Sequence, residues 1–334
     1  MLSGPIRLGL IAISMVVLLD FATGPTAHAE ALQLETKIPL GAVSGRIDHM
    51  AVDLARQRLF VAELGNDSVG VVDVGGNKVV RTIAGLKEPQ GVGYVASTDT
   101  LYVANARDGS VWLYQGADYA PSGHIELGSD ADNIRVDVGA NQVFVGYGSG
   151  ALAVIDPVKK LKVADITLKA HPEGFQLDRE SSRIFVNVPD AGEIAVVDRA
   201  TGKQTANWSM QIGASHFPMA LDQEAKQVLT VFRSPPRVGV LAMGDGKVAK
   251  SLDTCSDSDD VFVDAKLHRI YVVCGGGFVD VFDARQDTLP RIAHILTVTG
   301  ARTGLFVSEL DRLFVAARAQ SGQPAAIWVF RPVP

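Results

Sequence analysis

The sequence predicts an all-β fold, a seven-bladed β-propeller built from four-stranded antiparallel blades. Three observations predict it. An apolar triplet recurs seven times, the same order of turns surrounds each copy, and helical periodicity is missing from residue 30 onward. The triplets are Leu59-Phe60-Val61, Leu101-Tyr102-Val103, Val143-Phe144-Val145, Ile184-Phe185-Val186, Val228-Leu229-Thr230, Ile270-Tyr271-Val272 and Leu313-Phe314-Val315. Steps between their central residues are 42, 42, 41, 44, 42 and 43, a near-constant period that suits one blade per unit.

The N-terminal segment is unlike the rest. Arg7 gives a positive start, Leu8 to Leu19 carries no charge, and Pro25 precedes Ala27-His28-Ala29. That order predicts a secretory signal peptide over residues 1–29, cleaved after Ala29. The uncharged run is too short to span a bilayer, and no later stretch is long enough either. No Cys follows it, which argues against a lipid anchor. The expected domain is therefore 30–334, in a periplasm or outside the cell.

Leu34 to Leu40 comes next and is patterned like a fourth strand with no blade before it. At the other end, the seventh unit stops after Ile327-Trp328-Val329-Phe330, one strand short. Pairing the two would close the ring and remove exposed edges. Within each unit a first strand ends in Asp before a polar turn, as in Val52-Asp53, Val136-Asp137, Leu177-Asp178, Leu221-Asp222 and Val263-Asp264. A third strand also ends in Asp, followed by a tight turn, as in Val197-Asp198-Arg199-Ala200-Thr201-Gly202-Lys203. Asp bonds the turn backbone and Gly supplies positive φ. Gly275-Gly276-Gly277 fits the same role, since neither a Lys-Ser/Thr pair nor a helix follows it.

Composition is that of a globular chain, with 47% hydrophobic and 20% charged residues and a net charge of −6. Nucleic acid is a poor partner for it, because phosphate binding needs a concentrated basic surface.

Leu101-Tyr102-Val103-Ala104-Asn105 and Ile184-Phe185-Val186-Asn187 are similar to the "YVTN" strand, and Val197 to Lys203 is similar to the "VVDxxTGK" turn. The chain thus resembles the bacterial secreted YVTN-repeat β-propellers, within the nitrous-oxide-reductase/amine-dehydrogenase-like propeller superfamily. That resemblance implies the fold over the whole mature chain. It leaves the activity open, since the superfamily includes binding proteins, lactonase-like hydrolases and redox-enzyme domains.

Aligning the units on the Asp that ends the first strand locates a working face. Five residues earlier stand Asp48, Gln90, Asp132, Glu173, Phe217, Asp259 and Thr303, with His49, Asn133 and Asp260 one step on. Arg46, Asp130, His171, His216, Asp257 and Arg302 are neighbours. Symmetry should bring these carboxylates and imidazoles to one mouth of the central channel. Two readings follow: a site for a small polar ligand, divalent metal or partner segment, or bonds that tie one blade to the next. Lactonase-like propellers use Glu, Asn and Asp to hold a metal that polarises a carbonyl and activates water. Glu63, Asn105, Asn187 and Asp259 supply those residue types, with calcium as one such ion, but no further motif of those enzymes accompanies them.

Cys255 and Cys274 should lie near the same rim, and in an exported chain they suggest a disulfide, with separate buried thiols or a thiolate metal pair as alternatives. The expected function is a binding or scaffold propeller that holds a ligand, metal or partner at the acidic mouth. A metal-dependent hydrolase and an interaction module of a periplasmic redox system are the alternatives.

Overall fold

The computed structural model describes Met1, Leu2, Gly4 and residues 31–334. The rest of the segment expected to be a signal peptide lies outside the described residues. No described helix is long and apolar enough to cross a membrane.

The described residues form seven four-stranded antiparallel sheets, each in simple up-and-down order except the last. In the first blade, Met50–Asp53 pairs with Arg58–Glu63, then Ser68–Asp73, then Lys78–Ala84. The innermost strands surround a channel, and the outermost face solvent. All seven apolar triplets sit in second strands, where both faces of the sheet are covered by neighbouring blades. Their central residues Phe60, Tyr102, Phe144, Phe185, Leu229, Tyr271 and Phe314 are fully buried. Both-side burial explains why these strands read as continuous apolar runs instead of alternating ones.

The Asp residues that end strands do the expected mechanical work. Asp53 Oδ1 accepts from the backbone N–H of Ala55 and Arg56 at 3.0 and 3.2 Å, and Asp264 Oδ1 from Lys266 and Leu267 at 3.0 and 3.1 Å. Asp198 Oδ1 takes the Thr201 N–H at 2.8 Å. These bonds replace ladder partners that the turn backbone has lost. Six blades also share a register shift between third and fourth strands, as at Val71/Val72 and Val196/Val197. Such bulges twist the outer edge and blunt it against pairing with another chain.

The ring closes as expected. Leu32–Pro39 pairs antiparallel with Ala326–Pro332, with Leu32 opposite Pro332 and Ile38 opposite Ile327. A register shift between Leu34 and Thr36 interrupts this pair. Its consequence is physical: Leu32 and Ile38 are both even-numbered, yet one extra residue turns them to opposite faces. Leu32 joins the core shared with the sixth blade, beside Tyr271 and Val279, while Ile38 joins Leu59 and Val61 of the first.

Cys255 and Cys274 form a disulfide with Cα atoms 5.8 Å apart. It ties the chain leading into Ser258–Asp264 to the end of Arg269–Cys274. Replacing both cysteines by serine is expected to lower stability by about 2–4 kcal/mol. Urea unfolding of oxidised wild type against the double variant checks this, and an unchanged midpoint would contradict it.

Candidate functional site

The chain leads into each first strand at one end of the channel, and there the aligned polar residues meet. Glycine makes the approach possible at one point. A Cβ on Gly91 would sit 1.9 Å from the Asp132 carbonyl oxygen, so only glycine lets the second blade lie this close to the third. Asp48, Asp132 and Asn133 are 1%, 6% and 3% exposed, so the mouth is largely filled by its own side chains.

Charge pairing organises the filling. Asp48 pairs with Arg46 at 2.8 Å, and His49 lies between Asp48 and Asp260, 3.7 Å from each. Arg46 also donates to Gln90 Oε1 at 3.5 Å. Asp259 pairs with Arg233, whose guanidinium lies 4.1 Å from the Phe217 ring centroid. Arg302 pairs with Asp257 at 2.7 Å. Asp260 accepts the Gly304 N–H at 2.8 Å, which ties the sixth blade to the seventh. Further out, His171 Nδ1 donates to the Gly148 carbonyl at 2.6 Å and lies 3.5 Å from Asp130.

Burial and neighbouring charges set the protonation of this cluster. Burial alone would pull the His49 imidazolium down, but the Asp260 charge and hydrogen bond, then Asp48 and Asp132, hold it up to about 10. Burial pushes Asp132 up to about 7, with His49 opposing and Asp48 and Glu173 adding to the rise. Glu173 also rises to about 7, from burial and the nearby Asp259. Asp259 rises to about 6 from burial, restrained by Arg233.

Below the cluster lies a small cavity of about 30 Å³, enough for one or two water-sized groups. His49, Asn133, Arg135, Glu173, Gln176, Asp259 and Asp260 contribute to its walls. Among these residues, Asn133 Oδ1 and Asp259 Oδ2 are buried with no protein donor in hydrogen-bonding range, and Asp132 Oδ1 nearby is in the same condition.

This cavity shares His49, Arg135, Gln176, Asp260, Val261 and Phe262 with the central channel, a space of about 800 Å³ whose lining reaches Lys266, Ser308 and Asp311 in the turns after the first strands. The wall has two levels. Nearer the cavity, the seven blades present Ala51, Gly93, Arg135, Gln176, Ala220, Phe262 and Leu305. One residue further along stand Val52, Tyr94, Val136, Leu177, Leu221, Val263 and Phe306, a ring of partly exposed residues whose side chains also pack against the cores between blades. The sequence alignment on the strand-ending Asp contains both rings, although only the mouth residues were singled out from it. A lone Arg135 among small, apolar and amide residues was the signal for the channel.

Four expected positions lie elsewhere. His216 is not at the mouth: it is 1% exposed, its Nε2 donates to the Glu193 carbonyl at 3.1 Å, and it packs on Phe232. The fifth blade's first strand starts early, at Ala214, with a bulge between His216 and Met219, so His216 already belongs to the blade wall. The Glu63, Asn105, Asn187 and Asp259 set does not assemble. Glu63 accepts from Ser68 Oγ at 2.6 Å inside its own blade. Asn105 donates to the Ser110 carbonyl at 3.2 Å and accepts from the Lys87 N–H at 3.0 Å. Asn187 donates to the Phe217 and Pro218 carbonyls at 3.0 and 3.1 Å. Only Asp259 borders the cavity, and among the described residues no three His, Cys, Asp or Glu stand together as a metal-holding group.

No family model matches the chain. No curated protein matches it. Among solved structures it is similar to Kuenenia stuttgartiensis hydrazine synthase, with a TM-score of 0.76 and 18% sequence identity over 92% of this chain and 98% of that one. At that identity the likeness carries the β-propeller fold and nothing beyond it.

Proposed function

We propose that the chain is an exported binding propeller of the YVTN-repeat type, and that its acidic mouth cavity holds a small polar ligand rich in hydrogen-bond donors. The observation that supports this is that two residues lining the cavity, Asn133 and Asp259, each carry a buried oxygen, Oδ1 and Oδ2, with no protein donor. A buried acceptor without a donor costs about 1–3 kcal/mol, and an ammonium, amide or hydroxyl group in the cavity would recover it. Asp132, Glu173 and Asp259 all hold their protons more tightly than free carboxylates do, chiefly because they are buried, and a bound cation would favour their ionised forms. The metal-dependent hydrolase is the weaker reading, because three of its four proposed ligands are engaged by their own or the neighbouring blade.

Thermal unfolding of the chain purified from the cell envelope, beginning at Glu30, tests the proposal. Ammonium, methylammonium and calcium ions serve as probes. Binding at a hundredfold excess over Kd adds about 2.7 kcal/mol, which should raise Tm by several degrees. The rise is expected with methylammonium and should disappear in Asn133→Leu and Asp259→Asn. A shift that survives both substitutions, or none with any probe, counts against the acidic cavity as the site.

A further inference from the structure

The junction between the small cavity and the channel carries two opposite deficits. On the cavity side, Asn133 Oδ1 and Asp259 Oδ2 lack donors. On the channel side, Arg135 has no carboxylate in contact, although the charges of Asp260 and Asp132 act on it from further away. Its Nη1 donates to the Ile134 carbonyl at 2.8 Å, its guanidinium lies 5.4 Å from the Phe175 ring centroid, and it makes no ion pair within 4.0 Å among the described residues. Every other arginine of the mouth has a carboxylate partner: Arg46 has Asp48, Arg233 has Asp259, and Arg302 has Asp257. Arg135 and Gln176 line both spaces, so a group placed between the deficits touches both. Gln176 is held in place because its Nε2 donates to the Met219 carbonyl at 2.8 Å.

A lone cation would leave Arg135 unpaired, and a lone anion would face Glu173, Asp259 and Asp260 with nothing to offer Asn133. A head bearing both charges on neighbouring atoms serves both sides. The apolar ring from Val52 to Phe306 lies directly below, at the level a side chain attached to such a head would reach.

We propose that this junction binds the zwitterionic head of a free apolar α-amino acid, its ammonium in the acidic cavity, its carboxylate on Arg135, and its side chain down the channel. The ligand enters from the face where the first strands end, because the opposite mouth is filled by the Arg46–Asp48–His49–Asp260 network. This rests on the binding role proposed above for the acidic cavity and adds to it the ligand class and the direction of access.

A matched set of probes separates the parts: norleucine, pentylamine (norleucine without its carboxylate) and hexanoate (norleucine without its ammonium). Titration calorimetry on the wild-type chain is expected to rank norleucine at least tenfold tighter than either. Along alanine, norvaline and norleucine, affinity should rise up to about fourfold per methylene as the side chain fills the apolar ring. Arg135→Gln should weaken norleucine and hexanoate and spare pentylamine, whereas Asn133→Leu should weaken norleucine and pentylamine and spare hexanoate. If pentylamine equals norleucine and Arg135→Gln is silent, the zwitterion is wrong while the acidic cavity stands as a site. Affinity independent of side-chain length overturns the channel as the side-chain site. Absence of binding by all three at millimolar concentration overturns both this inference and the reading it rests on. The wild-type ranking decides the matter even where a variant fails to fold.

Discussion

Deleting residues 31–40 is expected to abolish cooperative folding and to leave a self-associating chain. Leu32–Pro39 is the outer strand of the last blade, and seven register pairs join it to Ala326–Pro332. Its two buried anchors act on different neighbours, Leu32 on the core shared with the sixth blade and Ile38 on the core shared with the first. Losing the strand therefore opens both interfaces of one blade at once. It also strips cover from the Trp328 ring, over which the Lys37 ammonium sits at 3.6 Å. The exposed Ala326–Pro332 edge then offers a template to another copy of the chain. A milder variant, Ile38→Asp, places a carboxylate at a position with no solvent exposure and should cost about 3–5 kcal/mol, a large share of a domain's 5–15 kcal/mol. Urea unfolding with size-exclusion chromatography reads both effects. A monomeric deletion variant with wild-type unfolding would show that the ring does not depend on its closing strand.

The fold was legible because its signal is repeated seven times, and both-side burial writes each second strand as an apolar run. Closure was legible too, since the leftover strand and the deficient blade are complementary. The mouth was legible in position but not in depth. Aligning on the strand-ending Asp located Asp48, Asp132, Glu173 and Asp259 together, yet it cannot tell whether a carboxylate faces solvent, as Asp130 does, or is covered, as Asp48 is. Bulges defeated the rest. His216 reads as a mouth residue only if every first strand starts at the same offset, and the fifth starts early. Glu63 and Asn105 end their strands, and Asn187 stands one residue before the end of its own, but each is held by a turn of its blade or by the neighbouring blade. Spacing places such residues on one level of the ring; side-chain direction, set by local bulges and turns, decides what they touch.

Between pH 4 and pH 10 the unliganded protein is expected to lose stability as pH rises, and Asp132→Asn is expected to flatten the lower half of that decline. In the upper half His49 dominates. The folded chain keeps its proton to about 10 under Asp260, Asp48 and Asp132, whereas an unfolded histidine releases it near 6.5. Between those values the folded state binds more protons, so raising pH favours unfolding. Buried carboxylates act in the lower half. Asp132 and Glu173 keep protons to about 7 and Asp259 to about 6, while unfolded carboxylates ionise near pH 4. Again the folded state binds more protons across the window, and stability falls with rising pH. Below pH 4 the slope reverses, because Asp99, bonded to Arg56, and Asp198, bonded to Thr201, ionise more readily folded than unfolded. Their stabilisation is lost as pH falls through their folded pKa values. Maximum stability should therefore lie near pH 4–5. Asparagine at 132 cannot ionise, so Asp132→Asn should match wild type at pH 4 and exceed it at pH 8. With about 1.4 kcal/mol per pKa unit, and part of the gain offset by lost support for His49, the advantage should be about 1–3 kcal/mol. Urea unfolding of both proteins at pH 4, 6 and 8 measures it. A wild type that gains stability from pH 5 to pH 8, or a variant weaker at pH 8, would mean that burial does not hold protons on the mouth carboxylates.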